Sequence, residues 1–462
     1  MNNYNQKDTI CALATPAGLG AIGVVRLSGV EALKICNDIF PGKDLTAQKA
    51  GTLHVGRLQN GDHIVDEVVI SIFRSPRSYT GQDLLEISCH GSPYIQGEIL
   101  NLLVSKGARM AREGEFTFRA FMNGKLDLSQ AEAVADLIAS DSKASRDLAM
   151  SQLRGGYAHH LSHLREQLIN FASMLELELD FSEEDVEFAN RDELLHLVQD
   201  LQKELDGMIS SFEFGNAIKQ GVPVAIIGEP NVGKSTLLNQ ILKEDRAIVS
   251  EIPGTTRDVI EDVVNIEGII FRFIDTAGLR QTTDTVEEIG ILKARQKADL
   301  AKVVLYVMDA SNCSVEKFEQ VKGEWSDKAM AKTFFVMNKI DHMDPHVLEK
   351  LKVALASYTN VFYISARDDH GIDHLLRGLQ DFIGTGKSDG EGIMVSSARH
   401  LESLNKCRES LDRTLAGIDE NRSSELVAQD VRQSLHYLGE ITGEVTTDDL
   451  LANIFSKFCI GK

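Results

Sequence analysis

No apolar run in this sequence approaches the roughly 20 residues needed to cross a bilayer. No CxxC pair or zinc-ligand spacing connects its six cysteines, Cys11, Cys36, Cys89, Cys313, Cys407 and Cys459. Scattered thiols of this kind belong to a reducing compartment, so a cytoplasmic protein is expected. Basic charge is also in short supply. Against 69 Asp and Glu stand only 48 Lys and Arg, a net charge of −21 that excludes a broad basic surface for nucleic acid. Any RNA contact must be local or shared with a partner. The first residues, Met1 to Asp8, lack the apolar core of a signal peptide and the arginines of a transit peptide. Cys459 stands at the prenylation position, but the Gly461 and Lys462 that follow are wrong for that signal. What remains, 462 residues with 43% apolar and 25% charged content, describes a globular chain of two to four domains.

The most informative stretch is Gly228-Glu-Pro-Asn-Val-Gly-Lys-Ser235, a GxxxxGK[ST] phosphate-binding loop. An apolar strand, Val222 to Ile227, precedes it, and a helical segment beginning Thr236-Leu-Leu-Asn follows. Successive N–H groups from Asn231, Val232, Gly233, Lys234, Ser235 and Thr236 can wrap phosphates at a helix N-terminus. Lys234 would reach the outer phosphates, and the Ser235 hydroxyl would bind Mg²⁺.

Further motifs specify the base. A second strand, Ile269 to Ile274, ends in Asp275-Thr276-Ala277-Gly278, placing a carboxylate for Mg²⁺ and a glycine N–H to sense the γ-phosphate. Between them, Pro253-Gly-Thr-Thr-Arg-Asp258 offers Thr256 to complete the Mg²⁺ shell. The strand Thr333 to Met337 leads to Asn338-Lys339-Ile-Asp341, whose aspartate can accept from both the ring N–H and the amino group of guanine. The strand Val361 to Ile364 leads to Ser365-Ala366-Arg367, whose backbone can meet the guanine carbonyl. Each tetrapeptide alone is an ordinary strand-end turn; together and in order they specify GTP. After Asp-x-x-Gly, Ras-like sites carry a glutamine that orients the attacking water, but here that residue is Leu279. Glu287 and Glu288 lie downstream, as water-orienting candidates or as carboxylates favouring a helix start. No arginine finger is evident.

The organisation reads as multidomain. Residues 1–119 alternate strand-like runs (Ala21 to Leu27, Thr52 to Leu58, Val65 to Phe73, Leu84 to Cys89) with a helix near Ile95 to Val104, an α+β domain. Residues 120–217 are helical, with Leu161, Leu164, Leu168, Phe171 and Leu175 at spacings of three and four. The acidic run Glu176 to Glu187 reads as a solvated helix end. Residues 218–383 form a Ras-like α/β P-loop domain inserted into the helices. Residues 384–462 hold a glycine-rich linker, whose Gly386-Lys-Ser388 is a decoy phosphate loop, then further helices from about Ser397 to Phe458. The flanking helical segments are expected to pack together as a bundle.

The segment Asp8 to Gly29, with Tyr79-Thr-Gly81, Gly114-Glu-Phe-Thr117, Asn123-Gly-Lys-Leu-Asp-Leu128, the nested GTPase motifs and the terminal Phe458-Cys-Ile-Gly-Lys462, resembles the MnmE (TrmE) tRNA-modification GTPases across essentially the whole chain. Cys89-His-Gly-Ser92 departs from the family, which usually has a second glycine; His90 is read as structural. The resemblance implies an N-terminal domain that dimerises and binds formyl-tetrahydrofolate, with Arg26, Glu86, Lys125 and Lys462 contacting the folate and Cys459 beside it in a catalytic role. It implies a homodimer acting with a flavin-bearing partner of the MnmG (GidA) family on carbon 5 of the tRNA wobble uridine. It also implies K⁺ held by Asn231 with backbone around Ser250, Ile252 and Thr255, and Glu287 as the catalytic water-orienting carboxylate. Two other readings stay open: a regulatory or ribosome-assembly GTPase switch, and a folate-binding protein regulated by GTP.

Overall fold

The computed structural model describes residues 7–156, 158–180, 191–244, 262–274, 298–299, 301–323, 325–384, 394–420 and 422–462. The described residues fall into two compact units, one within 1–138, 152–188 and 424–462, the other within 139–151 and 189–423.

In the first unit, period-two alternation builds a six-stranded sheet: β1 (Ile10–Leu13), β2 (Ile22–Ser28), β3 (Thr52–Asn60), β4 (His63–Phe73), β5 (Leu84–His90) and β6 (Arg109–Met110), in the order β3-β4-β5-β2-β1-β6. Val25 and Leu27 of β2, Ile70 and Ile72 of β4, and Leu85 and Ile87 of β5 pack into one core with helix Pro93–Ser105, which contributes Ile99, Leu102 and Leu103. The alternate residues, Arg26 and Glu86 among them, face the other side of the sheet. The four longer strands and this helix fall within two residues of their expected bounds.

A helix pair completes the unit. Helix Ala158–Asp180 runs against helix Ser424–Thr442, with Leu161, Leu164, Leu168, Ala172 and Leu175 buried on one and Val427, Val431, Leu438 and Ile441 on the other. Phe171, expected on this seam, is only half-buried, and Ala172 takes its place. The small side chain lets the helices approach, while the bulkier ring is left at the margin. Glu176, exposed as a solvated helix end requires, also pairs with Arg432 at 2.9 Å, and Glu178 accepts from the Ser424 hydroxyl at 3.2 Å; residues 181–187 of that run lie outside the described residues.

The second unit carries the other sheet: β7 (Val222–Ile227), β8 (Asp262–Ile266), β9 (Ile269–Phe273), β10 (Val303–Asp309), β11 (Thr333–Asn338) and β12 (Val361–Tyr363), in the order β12-β11-β10-β7-β9-β8. All neighbours pair in parallel except β8 with β9. Every residue of β11 is buried, as a parallel strand covered on both faces requires. β10 carries no nucleotide motif, yet it lies between β7 and β11. Helices Arg191–Gln220 and Ala398–Asp419, which flank the sheet in sequence, pair with each other through Leu194, Val198, Leu201, Leu205 and Met208 against Leu404, Cys407, Leu411 and Ile418. The spacing of four, three, four and three is that of a coiled-coil seam.

A buried ionic network holds the start of the first sheet. Arg119, 1% exposed, reaches Asp8 at 2.5 Å and the equally buried Glu115 at 3.0 Å, while Arg109 bonds Asp8 at 2.9 Å and Glu115 at 2.6 Å. Burial alone would raise both carboxyls. The hydrogen bonds and charges of the two arginines outweigh it and hold Asp8 and Glu115 below their ordinary range. Depressed folded values mean a contribution that is complete at neutral pH and is lost as acid protonates the folded carboxyls. Arg119→Ala breaks the fully buried pair and leaves Asp8 and Glu115 to Arg109 alone, and is expected to cost about 3–5 kcal/mol at pH 7. Glu115→Gln is expected to flatten the loss of stability below about pH 4.5 relative to the unchanged chain. Amide exchange at β1 across pH measures both; unaltered protection in Arg119→Ala would refute the assignment.

Candidate functional site

The parallel pairing of β7, β10, β11 and β12 puts their C-terminal ends on one edge, where ligands of open α/β sheets bind. The phosphate-loop residues follow β7 there. Gly228 has φ +146°, and a Cβ on it would lie 2.1 Å from the Val307 carbonyl of β10, so only glycine permits this approach. Asn231 turns the chain with φ +60° and is exposed, and Val232 is buried behind it. Helix Lys234–Glu244 then begins, with the Leu237 N–H on the Gly233 carbonyl at 2.9 Å. Lys234 curls back over the loop, its Nζ donating to the carbonyls of Gly228 (2.9 Å) and Glu229 (2.7 Å). Ser235 is half-buried and Thr236 exposed on the first turn.

The loops after β11 and β12 meet this one through a single side chain. Asn338, 2% exposed, donates from Nδ2 to the Val232 carbonyl at 2.8 Å and accepts at Oδ1 from the Ala366 N–H at 2.9 Å. Of the Ser365-Ala366-Arg367 backbone expected to meet the guanine carbonyl, the Ala366 N–H is donated to Asn338. Lys339 has φ +66°, and its Nζ donates to Asp309 Oδ2 at 2.8 Å. Asp341 is held below the ordinary carboxylate range by a hydrogen bond from Ser365, with burial opposing and the charges of His342 and Arg367 assisting. A depressed, ionised Asp341 is an acceptor suited to a pair of N–H donors. Arg367 is exposed at the end of the loop.

Two further carboxylates contribute to this edge without a motif role. Asp309 ends β10 beside Asn338, and the Glu229 carboxylate of the phosphate loop pairs with Lys317 at 2.9 Å. A carboxylate after an apolar strand is unremarkable in sequence; its register against β11 gives it a partner. Of the other residues assigned from sequence, Ser250, Ile252, Thr255, Thr256, Asp275, Thr276, Ala277, Gly278 and Glu287 lie outside the described residues.

A second cluster occupies the first unit. Arg26 of β2 and Glu86 of β5 are directly opposed strand partners, and Arg26 bonds Glu86 Oε1 through Nε (3.1 Å) and Nη2 (2.8 Å). Its Nη1 donates to the Gly461 carbonyl at 3.2 Å, so the C-terminal residues form part of the cluster. The tail is held by Phe455 packed edge-on against Phe118 (ring centres 5.4 Å apart), by Phe458 tilted against Phe455 (5.3 Å), and by a bridge between Glu113 and Ile460. Gly461, at φ +99°, passes so close to Leu13 that a Cβ would stand 2.2 Å from its carbonyl oxygen. The Arg26 guanidinium lies 5.4 Å from the Tyr79 ring centre and 5.6 Å from that of Phe116. Burial, then repulsion by Arg26, pushes the Lys462 amine below its usual range, with Glu86 and Cys459 opposing. Arg26, Glu86 and Lys462 are therefore brought together. Cys459 is an exposed free thiol near them, whereas Lys125 lies against Gly81 and makes no bond to the other three.

The first cluster joins a phosphate cradle to a base-reading loop through Asn338, an arrangement able to hold a guanine nucleotide. Asn338→Ala removes two buried hydrogen bonds from opposite loops and is expected to weaken GDP binding at least about a hundredfold. Titration calorimetry on the full chain measures it; wild-type affinity in the variant would refute the linkage.

Comparison with known proteins supplies the family. Residues 9–125 match the family described as GTP-binding protein TrmE N-terminus, and residues 128–459 match the MnmE helical domain. The tRNA modification GTPase MnmE of Cytophaga hutchinsonii is 51% identical, over 99% of this chain and 98% of its own. Those of Christiangramia forsetii (49%; 98% and 99% covered) and Bacteroides thetaiotaomicron (50%; 99% and 100% covered) are comparably similar. With an N-terminal α+β domain, helices and a P-loop domain in the expected order, the chain belongs to the MnmE (TrmE) family of tRNA modification GTPases.

Proposed function

We propose that this protein is a potassium-dependent GTP hydrolase that works as a homodimer in the cytoplasm. With a flavin-bearing partner of the MnmG (GidA) family, it forms an aminomethyl-type group at carbon 5 of the tRNA wobble uridine. The observation that carries the GTPase part is the hydrogen-bonded connection from Val232 through Asn338 to Ala366, which couples the phosphate cradle to the base loop. The relatives' activity supports the tRNA part. Among the described residues, no helix is long and apolar enough to cross a membrane.

In this reading the N–H groups of Asn231 to Thr236 wrap the phosphates, and Lys234 exchanges its two carbonyl partners for phosphate oxygens. Asn338, Lys339 and Asp341 read the base, with Ser365, Ala366 and Arg367 closing over it. Hard oxygen donors suit Mg²⁺, and Ser235 and Thr256 would hold it, with Asp275 to Gly278 close to the γ-phosphate. The side-chain amide oxygen of Asn231, an exposed residue, and the carbonyls around Ser250, Ile252 and Thr255 are neutral donors of the kind K⁺ accepts. When bound, these ions supply positive charge to the transferring phosphate. Glu287 orients the attacking water, the role that Leu279 is chemically unable to fill.

The Arg26 cluster fits a formyl-tetrahydrofolate in donor chemistry. Both bonds from Arg26 fall on Glu86 Oε1, and no described residue bonds Oε2. That oxygen can accept from the amino and N–H edge of a pterin, while Lys462 and Lys125 offer charge to carboxylates. Bound there, the folate would supply a one-carbon unit, and Cys459 would lie beside it.

GTP turnover is expected to rise at least about tenfold in potassium over sodium buffer, with the gain lost in Asn231→Ala. Equal slow turnover in both salts would remove the potassium role and favour a switch awaiting an external activator. Deleting the gene is expected to abolish the wobble-uridine modification in tRNA nucleoside profiles. Intact profiles together with folate binding by the purified chain would favour a folate-handling protein instead.

A further inference from the structure

Asp309 stands outside every nucleotide motif, yet its carboxylate is fully employed at the ligand-binding edge. Oδ1 accepts from the Ser311 N–H at 3.0 Å and from the Ser311 hydroxyl at 2.6 Å, capping the short turn after β10. Oδ2 accepts from Lys339 Nζ at 2.8 Å. The side chains of Asp309 and Lys339 are 15% and 33% exposed, so the pair is screened less than a surface ion pair. Parallel register places Asp309 directly beside Asn338, the residue before Lys339.

Lys339 needs such an anchor. Its backbone is left-handed, φ +66°, which residues with a Cβ adopt at a cost. That turn sets the direction of the chain from buried Asn338 into the short helical turn Ile340–His342, which carries Asp341. Neither neighbour fixes the turn alone: Asn338 is tied to the phosphate loop and to Ala366, and Asp341 leans on Ser365. Backbone bonds brace the turn, from the His342 N–H to the Lys339 carbonyl (3.0 Å) and from the Ile340 N–H to the Ile364 carbonyl (3.3 Å), and the ion pair to β10 adds the restraint on the Lys339 side chain.

We propose that Asp309 is a positioning residue for guanine selectivity, which it exerts by holding Lys339 so that the turn presents Asp341 to the base. The inference rests on the guanine-nucleotide reading of this site and adds a determinant on a strand with no recognised motif. Asp309 touches neither phosphate nor base in this account. Its loss therefore falls on base discrimination and spares phosphate affinity.

Asp309→Asn separates this role from the capping one. The amide keeps one acceptor oxygen for Ser311 and presents NH₂, a donor, to the Lys339 ammonium, so the cap survives and the ion pair does not. Calorimetry on the full chain would compare GDP, IDP (which lacks the 2-amino group) and inorganic pyrophosphate. GDP affinity is expected to fall about tenfold, about 1.4 kcal/mol. IDP is expected to weaken much less, and pyrophosphate not at all. In a Lys339→Met background, Asp309→Asn is expected to add nothing further, as two ends of one interaction require. Unchanged GDP affinity would overturn the proposal. So would an equal fall for GDP, IDP and pyrophosphate, which indicates general damage to the edge, or losses that multiply in the double variant. If the unchanged chain binds pyrophosphate but no GDP, the guanine reading itself fails, and the proposal with it.

Discussion

A buried amide cannot leave its donors and acceptors unmet, and at the nucleotide edge that requirement falls on Asn338. Its two hydrogen bonds run to Val232 in the phosphate loop and to Ala366 in the loop after β12, segments separated by more than a hundred residues of sequence. Each loop is therefore held in the shape that satisfies the other. Parallel pairing makes this possible, since β7, β10, β11 and β12 all end on the same side. The motifs are far apart along the chain because a crossover must separate each pair of parallel strands. They are adjacent in space for the same reason.

The first unit solves a different problem. Its cluster is assembled from β2, β5 and the last residues of the chain, which would normally be solvated and mobile. Aromatic packing of Phe455 and Phe458 near Phe118, with the bridge between Glu113 and Ile460, fixes the tail so that the Gly461 carbonyl reaches Arg26. A cross-strand ion pair alone would be an ordinary feature of a half-exposed sheet face. The flanking rings of Tyr79 and Phe116, the tail carbonyl and the nearby Lys462 amine make it a built environment.

Strand and helix positions were largely legible because period-two and period-three-and-four patterns report which face is buried. They failed where side-chain size mattered more than polarity. Phe171 fits the helical spacing but yields the seam to Ala172, since the close approach to helix Ser424–Thr442 favours the smaller residue. Burial of Arg119 is a different matter: a charge inside a helix is tolerable there only through the convergence of Asp8, Glu115 and Arg109, which no sequence spacing records. The apolar run of β10 has no motif after it to mark its place, and the role of Asp309 at its end emerges only from its register against β11.

By itself the sequence determined the order of the parts and the chemistry on offer: a phosphate loop after one apolar strand, a guanine-reading turn after another, and helices on either side. Those are local properties, written in residue type and short spacing. Tertiary structure decided which groups share a site. Asn338 bridges two loops, Asp309 meets Lys339, and the Gly461 carbonyl meets Arg26 only because of strand order, register and the docking of the tail. Hydrogen bonds and ion pairs act over a few ångströms, and no sequence spacing records which distant residues come within that range.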